Sequence, residues 1–423
     1  MQRLEYTNEK LGERYVEYTH DSGLKIFICP KQDYSSAYAM FGTRYGSIDT
    51  RFKQGGDADF TDVPPGIAHF LEHKLFESEE GDVFSLFAET GASANAFTAF
   101  DRTCYLFSCA GRFEDNLKIL VNFVQSPYFT AQTVSKEQGI IGQEIRMYDD
   151  SAPWRVFFNL LTALYHNHPV RIDIAGTVES IAEITPELLY RCYKTFYNLN
   201  NMFICIAGNM DPDRTAALIE SGLKPAEKID IARGEFSEPK QAVKQKVLQS
   251  LEVSIPLFAY GFKEECTGQR TLFERISADM LLQVISSNFS RLYRELFDEG
   301  LINDSFSAEY FCGHSYAVNI FQGQSANPET VAARIDAELQ RLKNEGIDSE
   351  SFDRILKMQY GRSIMKYNSV ENTADALVQC AFTGCGLFDE LEVYAKISKS
   401  DLEARLATHY NKESSALSVV NKK

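Results

Sequence analysis

Three side chains that can do chemistry together fall within five residues, His69-Phe70-Leu71-Glu72-His73. On a helix, positions four apart lie about 40° round from each other, and positions three apart about 60° the other way. His69 and His73 then point the same way one turn apart, and Glu72 lies on the same side. Two such imidazoles can share one metal ion, and the carboxylate beside them can hold and deprotonate a metal-bound water. The alternative is an ordinary helix with two unrelated histidines. With 7 histidines in the chain, a five-residue pattern alone carries that false-positive risk.

A catalytic zinc site needs a third protein ligand and an open position. The spacing predicts a helix over residues 134–148, which carries Glu137 and Glu144. Seven apart, they share one face two turns apart. Glu144 can complete a two-histidine, one-glutamate set, with Glu137 supporting it from behind. Solvated surface carboxylates are the ordinary fate of such residues.

The elements that must position these groups form an α+β pattern. Residues 23–30, 35–44, 94–97, 103–109 and 202–208 read as strands, and 67–76, 83–89, 114–124 and 214–221 as helices. Residues 225–245, rich in Lys, Glu, Gln and Pro, read as an exposed linker. The pattern then restarts, with strands at 246–255, 256–263, 306–311, 317–323 and 417–420. One long helix is expected over 271–296, and others over 328–345 and 349–367. Two duplicated α+β domains are expected, 1–224 and 246–423, each an antiparallel sheet with helices packed on it, the second without the metal motif.

Composition narrows the function. The 423 residues are 44% hydrophobic and 24% charged, as in globular proteins. A net charge of −16 disfavours nucleic acid and anionic membranes, and leaves a neutral or basic peptide as partner. No apolar run reaches the length of a membrane span, and the charged residues 1–20 do not read as a secretory signal. Nine cysteines without a C-x-x-C pattern fit free thiols in a reducing cytoplasm.

The H-x-x-E-H run is the inverted form of the H-E-x-x-H zinc-protease signature. Its surroundings resemble the M16 metallopeptidases, the group of insulysin, pitrilysin and the mitochondrial processing peptidases, in a small bacterial form. The resemblance rests on GTRYGSI at 42–48, GIAHFLEHKLFES at 66–78, GASANAFTAFDRTCY at 91–105 and EQGIIGQE at 137–144. It continues through the AGT-x-E-S-I and FY…NNM runs to Gly208-Asn209-Met210-Asp211. It covers residues 16–215 densely and the second half diffusely.

The resemblance implies one Zn²⁺ per chain on His69, His73 and Glu144, with Glu72 as general base and Glu137 supporting the site. It implies that Ala94, Asn95, Ala96 and Phe97 form an edge strand onto which an extended peptide adds, the Asn95 amide fixing the substrate backbone. The implied activity is endopeptidase action on short or flexible peptides. It also implies a second chain facing the first, either a related M16 chain or another copy. One departure stands out. Where the family carries R-E-x-x-G-L-x-Y, this chain reads LFDEGLIN, with Leu296 in place of the Arg and Asn303 in place of the Tyr. Arg294, Tyr310 and Tyr316 are the candidate substitutes. The departure leaves metal binding untouched, and favours a second reading as a metal-bearing binding or assembly subunit. Among lesser candidates, His166 and His168 read as a capped turn rather than a metal site, Trp154 as a packing anchor, and Cys104 and Cys109 as buried thiols.

Overall fold

Four strands carry nearly continuous apolar runs because both of their faces are covered. In the Met202–Gly208 strand, Met202, Ile204 and Ile206 enter one core while Phe203, Cys205 and Ala207 enter another. Lys25–Pro30, Ala37–Thr43 and Thr103–Cys109 alternate in the same way. The computed structural model describes residues 1–423 and divides them into two compact units. The first comprises residues 1–145, 173–235 and 364–388, and the second residues 146–172, 236–363 and 389–423.

The first unit is built on a seven-stranded sheet in the order Gln2–Asn8, Glu13–Thr19, Lys25–Pro30, Met202–Gly208, Ala37–Thr43, Thr103–Cys109, Ser93–Thr98. Every neighbouring pair is antiparallel except Met202–Gly208 beside Lys25–Pro30, which run parallel. The second sheet has five strands, ordered Lys246–Leu251, Ser415–Lys422, Leu257–Lys263, Tyr316–Gln324, Ser307–Gly313. Its one parallel pair is Lys246–Leu251 beside Ser415–Lys422. Numbered along the chain, the five core strands of both sheets stand in the order 1-5-2-4-3. The duplication is therefore topological, and the parallel pair is the first strand against the last in each copy.

Each unit takes one covering helix from the other half of the chain. Val370–Thr383 packs on the Met202–Gly208 and Ala37–Thr43 strands of the first unit, burying Ala374, Leu377 and Val378. Ala152–Leu164 packs on Ser415–Lys422 and Leu257–Lys263 of the second. The units are thus discontinuous in sequence. Residues 225–245 are mostly exposed, yet Ile231–Arg233 forms a strand on Arg51–Gln54. Glu238 accepts the backbone N–H groups of His166, Asn167 and His168 and a bond from the buried Lys263. His168 is the helix cap expected from sequence, its Nδ1 accepting from the Val170 N–H at 3.1 Å.

The helix expected over 271–296 is two helices, Leu272–Ser286 and Arg291–Asp298. The Ser-Ser-Asn-Phe-Ser run at 286–290 breaks it, and the Ser290 hydroxyl caps the second helix by accepting the Tyr293 N–H at 3.1 Å. The N-terminal hairpin, Gln2–Asn8 with Glu13–Thr19, was not foreseen, because its first strand is exposed nearly throughout and shows no buried face.

The helix that carries the two histidines spans Ile67–Leu75 and starts at a tight junction. Pro64-Pro65 ends the preceding chain, and Gly66 caps the helix at φ +92°, a left-handed conformation that costs a residue with a Cβ about 1–2 kcal/mol. A Cβ on Gly66 would lie 2.4 Å from the Ala175 carbonyl oxygen, and one on Gly176 2.4 Å from the Pro65 oxygen. The Ser180 hydroxyl donates to Pro65 O at 2.8 Å. Two glycines thus let two backbones touch, which fixes where the helix begins. Ile67, Phe70, Leu71 and Leu75 then bury one face in the core.

Gly66→Ala is expected to cost about 2 kcal/mol or more in urea unfolding, through left-handed strain and the clash with Ala175. Gly139→Ala, in an open helical position, is expected to stabilise by about 0.8–1 kcal/mol. Equal effects at both positions would contradict the junction. Leu377→Ala is expected to destabilise the first unit by about 2–5 kcal/mol, although Leu377 lies far along the chain from that unit's sheet strands. A shift confined to the second unit's unfolding would contradict the exchange of helices.

Candidate metal centre

The Ile67–Leu75 helix presents His69 and His73 one turn apart, their ring centroids 4.5 Å from each other. The Ala131–Asp149 helix runs beside it. From that helix Glu144 reaches both imidazoles, with Oε1 3.7 Å from His69 Nε2 and Oε2 3.7 Å from His73 Nε2. The donor atoms of His69, His73 and Glu144 all lie within 4.8 Å of one another. Around a tetrahedral zinc with bonds near 2.1 Å, neighbouring donors stand about 3.4 Å apart. Two imidazole nitrogens and one carboxylate at this spacing fit Zn²⁺ and leave room for a fourth position.

Two turns earlier on the same helix, the buried Glu137 meets the other nitrogen of His73, with Oε1 3.0 Å from Nδ1. A carboxylate there accepts the Nδ1 proton, which leaves the Nε2 lone pair facing Glu144. Burial alone would lower the proton affinity of His73, but the bond to Glu137 and the nearby Glu72 and Glu144 charges outweigh it, and its pKa is raised. His69 has no such carboxylate. Burial takes its pKa down to about 3, so its imidazole is neutral, the form in which a metal is bound. Its Nδ1 is buried without a partner.

Glu72 is 8% exposed, and burial raises its pKa against the opposing effect of the Thr98 hydroxyl, which donates to Oε2 at 2.7 Å. Two helices thus bring His69, Glu72, His73, Glu137 and Glu144 to one place. The contact from Thr98 was not foreseen. It lies within the GASANAFTAFDRTCY run at 91–105, but no spacing rule shows that a strand end reaches this helix.

Ala94, Asn95, Ala96 and Phe97 lie on the Ser93–Thr98 strand, the outermost of its sheet, paired on one side only. Ala94, Ala96 and Thr98 share the half-buried face, whereas Asn95 and Phe97 are exposed on the opposite one. The Asn95 side-chain Oδ1 accepts the neighbouring Ala96 N–H at 2.9 Å. In the second unit Leu296 is fully buried, and the Asn303 amide donates to Gln324 Oε1 at 2.9 Å. The Tyr310 hydroxyl donates to Glu264 at 2.9 Å, Tyr316 is buried and Arg294 is exposed. Cys104 and Cys109 are buried free thiols, Cys104 pushed up to about 12 by burial. Trp154 stacks on Tyr148 with centroids 4.4 Å apart.

Comparison with known proteins adds an independent line. Residues 54–178 match the family described as Insulinase (Peptidase family M16), and residues 183–359 match the Peptidase M16 inactive domain. The chain is 40% identical over 406 residues to a protein of Bacillus subtilis (strain 168) described as the uncharacterized zinc protease YmfH, covering 95% of this chain and 94% of that one. A crystal structure of an M16-like peptidase from Alicyclobacillus acidocaldarius superposes with a TM-score of 0.94 at 36% identity, covering 97% and 99% of the two chains. Pitrilysin shares the fold, with a TM-score of 0.77 at 17% identity over 99% of this chain and 46% of its own. With the inverted zinc motif in place and both halves matched, the chain belongs to peptidase family M16.

Proposed function

We propose that this chain is a zinc endopeptidase that hydrolyses short or flexible peptides. The observation that carries the reading is the convergence of His69, His73 and Glu144 within 4.8 Å, with the buried Glu72 on the same helix. Zinc held by those three residues would supply a Lewis acid for the scissile carbonyl and for water. Glu72 takes a proton from the attacking water at its carboxylate and returns it to the nitrogen of the leaving amine. Its burial strengthens its grip on that proton. Glu137 holds the Nδ1 proton of His73 and thereby aims Nε2. The Ser93–Thr98 edge receives an extended peptide by main-chain hydrogen bonds along Ala94, Asn95, Ala96 and Phe97. For its amide to hold substrate, Asn95 would first release the Ala96 N–H.

A second reading, a metal-bearing subunit that binds peptide while a related chain cleaves it, is favoured by one observation. Leu296 and Asn303 are buried or engaged within their own unit, and so is the Tyr310 hydroxyl. Both readings include a facing chain, homodimeric or heterodimeric, because this chain spans less than half of pitrilysin. The net charge of −16 suits a basic peptide as guest. A reducing, cytoplasmic setting suits nine free cysteines, six of them buried.

His69→Ala, His73→Ala and Glu144→Ala are each expected to lose most bound zinc in metal analysis. Full stoichiometry in the Glu144 variant would move the third ligand elsewhere. Glu72→Gln keeps the shape of the side chain and removes its basicity. Cleavage of a peptide library by the zinc-loaded protein is expected to fall by about 10²–10⁴-fold while zinc is retained. An unchanged rate would refute Glu72 as base, and a wild type that cleaves no member of the library would favour the subunit reading.

A further inference from the structure

Thr98 ends the edge strand and touches the buried carboxylate of Glu72, a contact that the mechanism above leaves without a role. A threonine hydroxyl has one proton to give. Two acceptors lie near it, Glu72 Oε2 at 2.7 Å and the Thr103 hydroxyl at 3.4 Å. Thr103 donates its own proton to the Tyr45 carbonyl oxygen at 2.9 Å and is itself fully buried. The Thr98 proton therefore goes to the nearer and charged acceptor, and such charge-assisted bonds are roughly twice as strong as neutral ones. Across the centre, Glu137 is committed to His73, and Glu144 to both histidines. Thr98 is thus the side chain that holds one oxygen of Glu72 in place.

We propose that Thr98 is a positioning residue for the general base. It anchors Glu72 Oε2 at the end of the peptide-receiving strand and leaves Oε1 as the oxygen that exchanges protons. The strand that orients the substrate backbone also orients the base, so the two are set by one element. The proposal rests on the reading of Glu72 as the base.

The test uses the full-length, zinc-loaded protein with Thr98→Val, Thr98→Ser and Glu72→Gln. Thr98→Val keeps the branched shape and the weaker backbone contact of residue 98 with Glu72, and removes the hydroxyl donor. Its kcat is expected to fall about 10- to 100-fold, part of what a positioned base contributes, with KM within about two-fold and zinc stoichiometry unchanged. Thr98→Ser is expected to restore most of the rate. Added to Glu72→Gln, the Thr98→Val change is expected to cause no further loss, because the two act as one unit. High-resolution crystal structures are expected to show the Glu72 carboxylate fixed in the wild type and Thr98→Ser, and displaced in Thr98→Val. An unmoved Glu72 with a wild-type rate in Thr98→Val overturns the proposal, as does an equal loss in the Glu72→Gln background. If the wild type cleaves nothing, the peptidase reading fails on its own, and the crystal structures still decide whether Thr98 holds Glu72.

Discussion

Two imidazoles on one nine-residue helix make a catalytic zinc site only with a third protein ligand from another element, and the candidate centre of the first unit depends on that requirement. Glu144 meets it from the Ala131–Asp149 helix, and the same helix supplies Glu137 to the far nitrogen of His73. One rigid element thus completes the donor set and fixes one donor's orientation. The register between the two helices is set elsewhere. Gly66 and Gly176 let the helix start press against residues 175–180, and the core below takes Phe70, Leu71 and Leu75. A small sliding of either helix would separate Glu144 from one histidine, which is why the packing matters to the chemistry.

The two units have the same strand order and different chemistry. The sheet of each is covered by a helix from the other half of the chain, so neither half carries its own complete fold. That exchange ties the unit with the candidate metal centre to the presence of the second half. Within the second unit, Leu296 serves the core and Asn303 a side-chain bond. Both positions have been given over to structure.

The centre was legible in the sequence because helical spacing converts directly into angle. His69, Glu72 and His73 needed only the 3.6-residue period; the same period put Glu137 and Glu144 on one face, but it was the resemblance of the EQGIIGQE run that assigned them to the centre. The apolar strands were legible for a related reason, since double-sided burial writes itself as an unbroken run. What was not legible depends on contacts distant in sequence. The parallel pair in each sheet joins the first and last of its five core strands, and no local pattern records it. The same holds for Thr98 beside Glu72 and for Val370–Thr383 on the first sheet. The break at 286–290 was local, but the apolar residues Val284, Ile285 and Phe289 around its serines masked the stop.

The arrangement predicts where a metal must sit and what must hold it, and anomalous diffraction at the zinc edge is the most direct measurement of that claim. The account predicts one zinc per chain, bound by Nε2 of His69, Nε2 of His73 and the carboxylate of Glu144, with Glu137 on Nδ1 of His73 and outside bonding distance of the metal. A zinc bound without Glu144, or one coordinated by Glu137 in its place, would contradict it.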